Sequence, residues 1–433
     1  MNVNAIMPIR PLSLSRHARP ASGDRGVLLI LAIFATALLT VLAVAIAAAV
    51  RVELLASRSS LNRMQALFLA QAGIDQARAV LFYDDPTVDT LLDSWSPEGE
   101  ESLDLPHEVG DGYYRVRVYD ACGRVDINTV EFPTLLQLTE DPAIAWSIID
   151  WRDEEDSTSP EGAEWDYYES LPHPYYPRNG PFQTVGELLL VRGVTPEVFF
   201  SDQDRRGLSD LVTVHAVSPN TDADGNVRVN LNEFRNWGEE AFRDAMMARL
   251  GGALSEYDAS EIWRGLSDLY SLGQEYTSLG QLSTVAGLDA AKIAAVVDYV
   301  TVESGALGRG RVNVNTAPPE VLAALPGSSW DLAEAIVAQR EVQPFQSVGE
   351  VAAMMFDQPG GMEVFDQMIN HVTTKSSTFI IESMGVAATG REFRTLRTLV
   401  LRDSHGVLVL QQKEEDWPLP PADSEESLAI ARR

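Results

Sequence analysis

From Val27 to Val50 the chain carries no charged residue, and Thr36 and Thr40 are the only side chains there with a hydrogen-bonding group. About 24 residues at a rise of 1.5 Å each are long enough to cross a hydrocarbon core of roughly 30 Å. Arg10, Arg16, Arg19 and Arg25 precede the stretch, so the N-terminus is expected to stay cytoplasmic and the rest to be exported. A secretory signal peptide has a shorter apolar region closed by a small-residue cleavage site. Here the apolar pattern runs on past Arg51. Leu54, Leu55, Leu61, Met64, Leu67, Phe68, Ala72 and Ile74 recur at spacings of three, four and seven, and the first glycine is Gly73. The spacing predicts one helix over 27–83, apolar all round in its first half and amphipathic in its second.

The remainder is acidic and globular in composition. In 433 residues the formal net charge is −30, which argues against a nucleic-acid partner and suits a life among divalent cations. The length allows two or three domains. Cys122 is the sole cysteine, so no internal disulfide forms and stability must come from packing or metal. No nucleophile-elbow glycines occur and the six histidines are scattered, so no catalytic set is found and a non-enzymatic role is expected.

After the helix, residues 84–127 hold an acidic, Pro- and Gly-rich loop and then "GYYRVRVYDACGRVDIN", whose alternation predicts one or two strands. Residues 376–414 give three more alternating runs, and the tail 415–433 reads as disordered. Between them, 128–375 is mainly helical and repeats itself. "RVDIN", "RVNLN" and "RVNVN" start at Arg124, Arg228 and Arg311, and "FQTVGE", "YTSLGQ" and "FQSVGE" start at Phe182, Tyr276 and Phe345. Thr316 is the expected cap of the helix in "NTAPPEVL", with Pro318 in its first turn. "LAALPGSSWDLAEAIVAQR" resembles a helix-hairpin-helix module, which would contact DNA phosphates through backbone amides at the glycine turn. That leaves a membrane-anchored DNA receptor as the alternative. The turn has no basic residue, and electrostatic attraction supplies most non-specific DNA affinity, so a helical scaffold is the better reading.

From Asp150 to Glu169 there are nine acidic residues and one basic one, Arg152, interleaved with Trp151, Trp165, Tyr167 and Tyr168. Aromatics want burial, so the carboxylates are expected to gather over a packed base. Gathered carboxylates repel unless a cation sits among them, and oxygen ligands beside a turn at Gly162 suit calcium. "NTDADGN", from Asn220, has alternating acids but Leu231 at its twelfth position, and reads as a turn.

The basic leader ending in Gly26, the helix, "ALFLAQAGIDQARAVL", the acidic loop, "RVNVNTAPPEVL" and the terminal strands, in that order, resemble the minor pseudopilin K family of type II secretion systems. Related pilin-like precursors usually carry a glutamate five residues into the mature chain; Leu31 stands there, as is typical of this family. The resemblance implies an α+β fold, with a pilin-like helix on an antiparallel sheet and an inserted, mainly helical, SAM-like domain over 128–375. It implies removal of leader 1–26 by prepilin peptidase between Gly26 and Val27, and calcium held by ligands drawn from Asp150, Asp153, Asp156, Glu161 and Glu164. Expected partners are other minor pseudopilins and the major pseudopilin through their helices, the inner membrane, and the secretion channel or its cargo. The expected place is the tip of the periplasmic pseudopilus. A type IV pilus minor pilin is the other reading of the same features.

Overall fold

The computed structural model describes residues 23–99, 103–200, 206–250, 252, 254–415 and 419. It divides into two compact units, 1–62 and 63–433. Most of the expected leader and of the tail lie outside the described residues.

Helix α1 runs Gly23–Tyr83, starting before the expected Val27, so Gly26 lies inside a helix. From Gly26 to Arg58 it is exposed at every residue, as with Phe34 and Leu38. Thr36 and Thr40 turn their hydroxyls back onto Ala32 O and Thr36 O, at 3.0 and 2.7 Å. A helix apolar all round, with its hydroxyls satisfied internally, is built for hydrocarbon.

In the second unit the last turns of α1 bury Ala66, Leu69, Ala70, Ile74, Ala77 and Leu81. They pack on an antiparallel sheet of five strands in sequential order: β1 His107–Val109, β2 Gly112–Asp120, β3 Thr378–Val386, β4 Phe393–Asp403 and β5 Gly406–Glu415. The approach is close because small residues meet there. A Cβ on Gly385 would lie 2.0 Å from Ala66 O, and one on Gly73 would lie 2.2 Å from Ser383 Oγ. Strands β2 and β3 are neighbours, so everything between Asp120 and Thr378 is an insertion between two paired strands.

The insertion is three copies of one module. Each opens on a two-residue strand and closes by pairing it, in parallel, with a Val-Thr strand further on. The pairs are Val125–Asp126 with Val212–Thr213, Val229–Asn230 with Val300–Thr301, and Val312–Asn313 with Val372–Thr373. In each, one asparagine clamps the backbone of the aromatic residue that opens the second motif. Asn128 accepts from Phe182 N (2.7 Å) and donates to Phe182 O (3.0 Å). Asn232 does the same to Tyr276 (3.0 and 2.9 Å), and Asn315 to Phe345 (both 2.9 Å). An asparagine side chain has the donor and the acceptor that such a clamp needs. Ser or Thr then caps the next helical turn in all three, at Thr184, Ser278 and Ser347. One apolar core runs through the three modules, from Val125 to Val372.

Two expectations need correction. The strand pattern through "RVDIN" belongs to the insertion, since Val125 pairs with Val212 and not with the large sheet. The helix expected to start at Thr316 is Pro319–Ala324, with Pro318 as its cap. Thr316 instead gives its hydroxyl to Asp120 Oδ2 at 2.6 Å. Buried Asp120 also accepts from Ser376 Oγ, Asn313 Nδ2 and Cys122 N, at 2.6, 2.9 and 2.7 Å, and so ties sheet to insertion.

Candidate metal centre

The acidic loop hangs from the helix Pro142–Arg152, which Asp141 caps by accepting from Ala143 N. Asp150, in its last turn, is fully buried. Beneath the loop Trp151 packs edge-on to Tyr168, with ring centres 5.3 Å apart, and face-on to Phe182. Trp165 stacks on Tyr176 at 4.1 Å. Arg152, the single basic residue of the stretch, is spent elsewhere: its guanidinium donates to the carbonyls of Ile127 and Val130.

Among the described residues these acids have no ion pair, although the charge of Arg152 still favours ionised Asp153 and Arg192 donates to Gly162 O at 2.8 Å. Asp150 accepts, among the described residues, only from Ser159 N, at 3.3 and 3.2 Å. Gly162 is pressed onto it so closely that a Cβ would lie 2.0 Å from Asp150 Oδ2. Glu164 is 3% exposed, and neither carboxylate oxygen has a hydrogen-bond partner. Its pKa is pushed up to about 7, first by burial and then by the charges of Asp150, Asp153 and Asp156. Burial also raises Asp153. A buried, ionisable carboxylate with no donor is costly, and such groups persist where something else satisfies them.

Of the five residues expected to act together, Asp150, Asp153, Asp156 and Glu164 influence one another. Glu161 does not join them. It sits at a left-handed backbone position (φ 67°), its side chain is exposed, and its carbonyl accepts from Arg192 at 3.4 Å. Sequence reasoning missed Asn179. Its Nδ2 donates to Asp156 Oδ1 at 3.0 Å, while its own Oδ1 is buried without a partner. The only hint was an Asn-Gly pair closing the loop.

Among the described residues, the acids with ligand atoms all within 4.8 Å are elsewhere: Asp84, Asp89 and Asp93. That group was not expected, and one cation already serves two of its three acids. Arg402 binds Asp89 through both oxygens, at 2.6 and 2.8 Å, and Asp84 at 3.0 Å. The loop at Asn220 is a turn, as read from sequence. Asp222 accepts from Asp224 N and Asn226 N, pairs with Arg249 at 2.8 Å, and has the buried Lys375 ammonium against its carbonyl.

The helix-hairpin-helix likeness resolves into the helices Pro319–Ala324 and Trp330–Val342 around Gly327. Gly327 faces Gln367 and Val364 O of the same module, within 3.3 Å of where a Cβ would be. The glycine at the centre of that turn is packed against protein, while Ser329 and Trp330 beside it are exposed. At the other end of the chain, Gly26 has no neighbour within 4 Å of a built Cβ, and Val27 is exposed.

Comparison with known proteins gives two family matches. Residues 131–201 and residues 312–369 each match a model described as type II secretion system (T2SS), protein K. The middle module, from Arg228 to Thr301, falls outside both. The GspK-GspI-GspJ complex of the enterotoxigenic Escherichia coli type 2 secretion system is similar at 13% identity. That match covers 83% of this chain and 99% of the other, with a TM-score of 0.43. No curated protein matches.

Proposed function

This chain belongs to the protein K family of type II secretion systems, and we propose that it is a minor pseudopilin set at the tip of the periplasmic pseudopilus, where it helps begin assembly. The observation that carries this reading is the pairing of an apolar helix with a sheet whose insertion holds both protein K segments. Its role is structural, without catalysis. The helix bundles with those of other minor pseudopilins. Leu31 supports the terminal position: a carboxylate buried in lipid is expensive without a partner, and a subunit with none above it is better off lacking one. The size of the insertion supports it as well, because bulk on a slim helix is easiest to place at the end of a fibre.

Prepilin peptidase cuts between Gly26 and Val27, with the basic leader left in the cytoplasm and the second unit in the periplasm. The absence of neighbours around Gly26 supports access by the enzyme. The soluble unit meets the secretion channel or its cargo. Calcium is held over the aromatic base by Asp150, Asp153, Asp156 and Glu164, with Asn179 Oδ1 as a further oxygen. The fit rests on donor chemistry: hard oxygens, an excess of negative charge, and two buried side chains with unused oxygens. The test of the assembly role is the mature N-terminus and the company the chain keeps. Chain extracted from membranes is expected to begin at Val27 by mass spectrometry and to co-purify with companion minor pseudopilins. A first residue beyond Val50 would remove the anchor and overturn the role.

A further inference from the structure

The sheet ends on one side in β1, three residues long, and on the other in β5, ten residues long. Among the described residues β5 pairs only with β4, and between Val407 and Glu415 every residue is exposed. Leu408, Val409 and Leu410 stand 52%, 42% and 49% open. From Gly406 to Gln412 there is no charge and no proline. Soluble proteins usually blunt such an edge with charge, proline or brevity, because its unpaired backbone groups recruit another strand. The register shift that leaves Leu410 without a partner in β4, and the charges of Lys413, Glu414 and Glu415, blunt only the far part of this edge and leave 408–410 apolar.

The edge is held ready rather than left loose. Arg78 of α1 donates to Val407 O at 3.1 and 2.7 Å, and Gln412 donates to Gln71 at 3.2 Å. Gln71, Asp75 and Arg78 lie on one stripe of α1 with Met64, Phe68 and Phe82, three and four residues apart, and the last three are more than half exposed. On the opposite face of the sheet, Gln411 and Lys413 line the groove toward the insertion. An apolar edge thus lies between an apolar helix flank and a groove.

We propose that β5 is a docking edge, onto which a companion minor pseudopilin adds an extended strand as a sixth member of the sheet. Backbone pairing sets the register, and alternate apolar side chains of the incoming strand cover the α1 stripe. The occupant is not a second copy of this chain. Two copies would bring together net charges of −30 each, which repel. The proposal rests on the pseudopilin reading above.

The test is hydrogen exchange on the full-length chain in detergent micelles, alone and co-purified with the companion minor pseudopilins of its own system. Amides over 407–413 are expected to exchange at least about tenfold more slowly in the complex. The double variant Leu408→Lys, Leu410→Glu is expected to keep the thermal midpoint, since both side chains are exposed, and to weaken association about tenfold or more. A complex that forms with unchanged exchange over 407–413 and no effect of the variant overturns strand addition while leaving the pseudopilin role standing. Failure to form any complex overturns both. Slowed exchange that appears with the chain alone, as its concentration rises, assigns the edge to self-association and overturns the proposal.

Discussion

Replacing Glu164 by Gln should have opposite effects with and without calcium. The carboxyl goes from an ordinary value of 4.5 to about 7 on folding, because burial and the neighbouring acids outweigh the weak pull of the Trp165 amide, and no side chain donates to it. A carboxyl whose folded pKa is raised favours the folded state only while it is protonated. In metal-free protein, stability is therefore lost as pH rises from about 4.5 to about 7, and stays lost above. The shift corresponds to an upper bound of about 3 kcal/mol at pH 8, and to less once water around the exposed Asp156 screens the repulsion. Glu164→Gln removes that penalty, so in chelator at pH 8 the variant should melt later by a few degrees at most, given a chain this long. With calcium the order reverses. A cation at 100 times its dissociation constant stabilises by about 2.7 kcal/mol, and the variant, one charge poorer, should lose most of that. Tryptophan fluorescence reads this directly, because Trp151 and Trp165 sit under the loop. A variant less stable than the parent in chelator at pH 8, or a calcium shift of the same size in both proteins, would refute the reasoning.

The amide clamp predicts that Asn315→Ala, which strips two buried hydrogen bonds from Phe345, costs about 1–3 kcal/mol in denaturant unfolding; Asn315→Asp, which keeps the acceptor alone, should not restore it. Gly385→Ala drives a methyl against Ala66 O of α1 and should cost about 1–3 kcal/mol by the same measurement, whereas Gly390→Ala, in open space though at a positive φ of 68°, meets no such clash. Arg402→Met leaves buried Asp89 and half-buried Asp84 without their cation and should cost about 3–5 kcal/mol at pH 8; the loss should shrink as pH falls below about 8, the raised pKa of Asp89, because the carboxyl then protonates.

Much of the architecture was legible because it is periodic. The apolar stripe of α1 and the alternation in β2 to β5 follow from burying one face of each element. The repeats "RVDIN", "RVNLN" and "RVNVN" do announce a common module, and the structure gives the reason for their last residue: Asn128, Asn232 and Asn315 each clamp an aromatic backbone some 30 to 54 residues later. The Val-Thr pairs that close each module were not read, because a two-residue strand carries no period. Nor was the role of Thr316, whose best partner, Asp120, lies far away in sequence. At the candidate site the sequence marks where the acids are, but not which of them face inward. Glu161 is exposed at a left-handed position, and Asn179 reaches back to Asp156 from the end of the same loop.

The buried acids of this chain frame the case for a cation. Asp120 is satisfied by four neutral donors. Asp89 has the guanidinium of Arg402. Asp222 has Arg249 and two backbone amides, with the Lys375 ammonium beside its carbonyl. Each is the same physical problem, a carboxylate taken out of water, solved from within the chain. The loop carrying Asp150 and Glu164 has the same burial and more acids, yet its one arginine is turned away to the carbonyls of Ile127 and Val130. The same fold gives Asp150 a single backbone amide, from Ser159, and pairs no cation with Asp150 or Glu164, so positive charge from solution would stabilise this loop at neutral pH. In that case calcium removal should loosen the module that carries Trp151 and Tyr168 before it affects the sheet. Hydrogen exchange of the full chain in chelator would then quicken over 142–182 first, and uniform loosening of sheet and insertion would count against the argument.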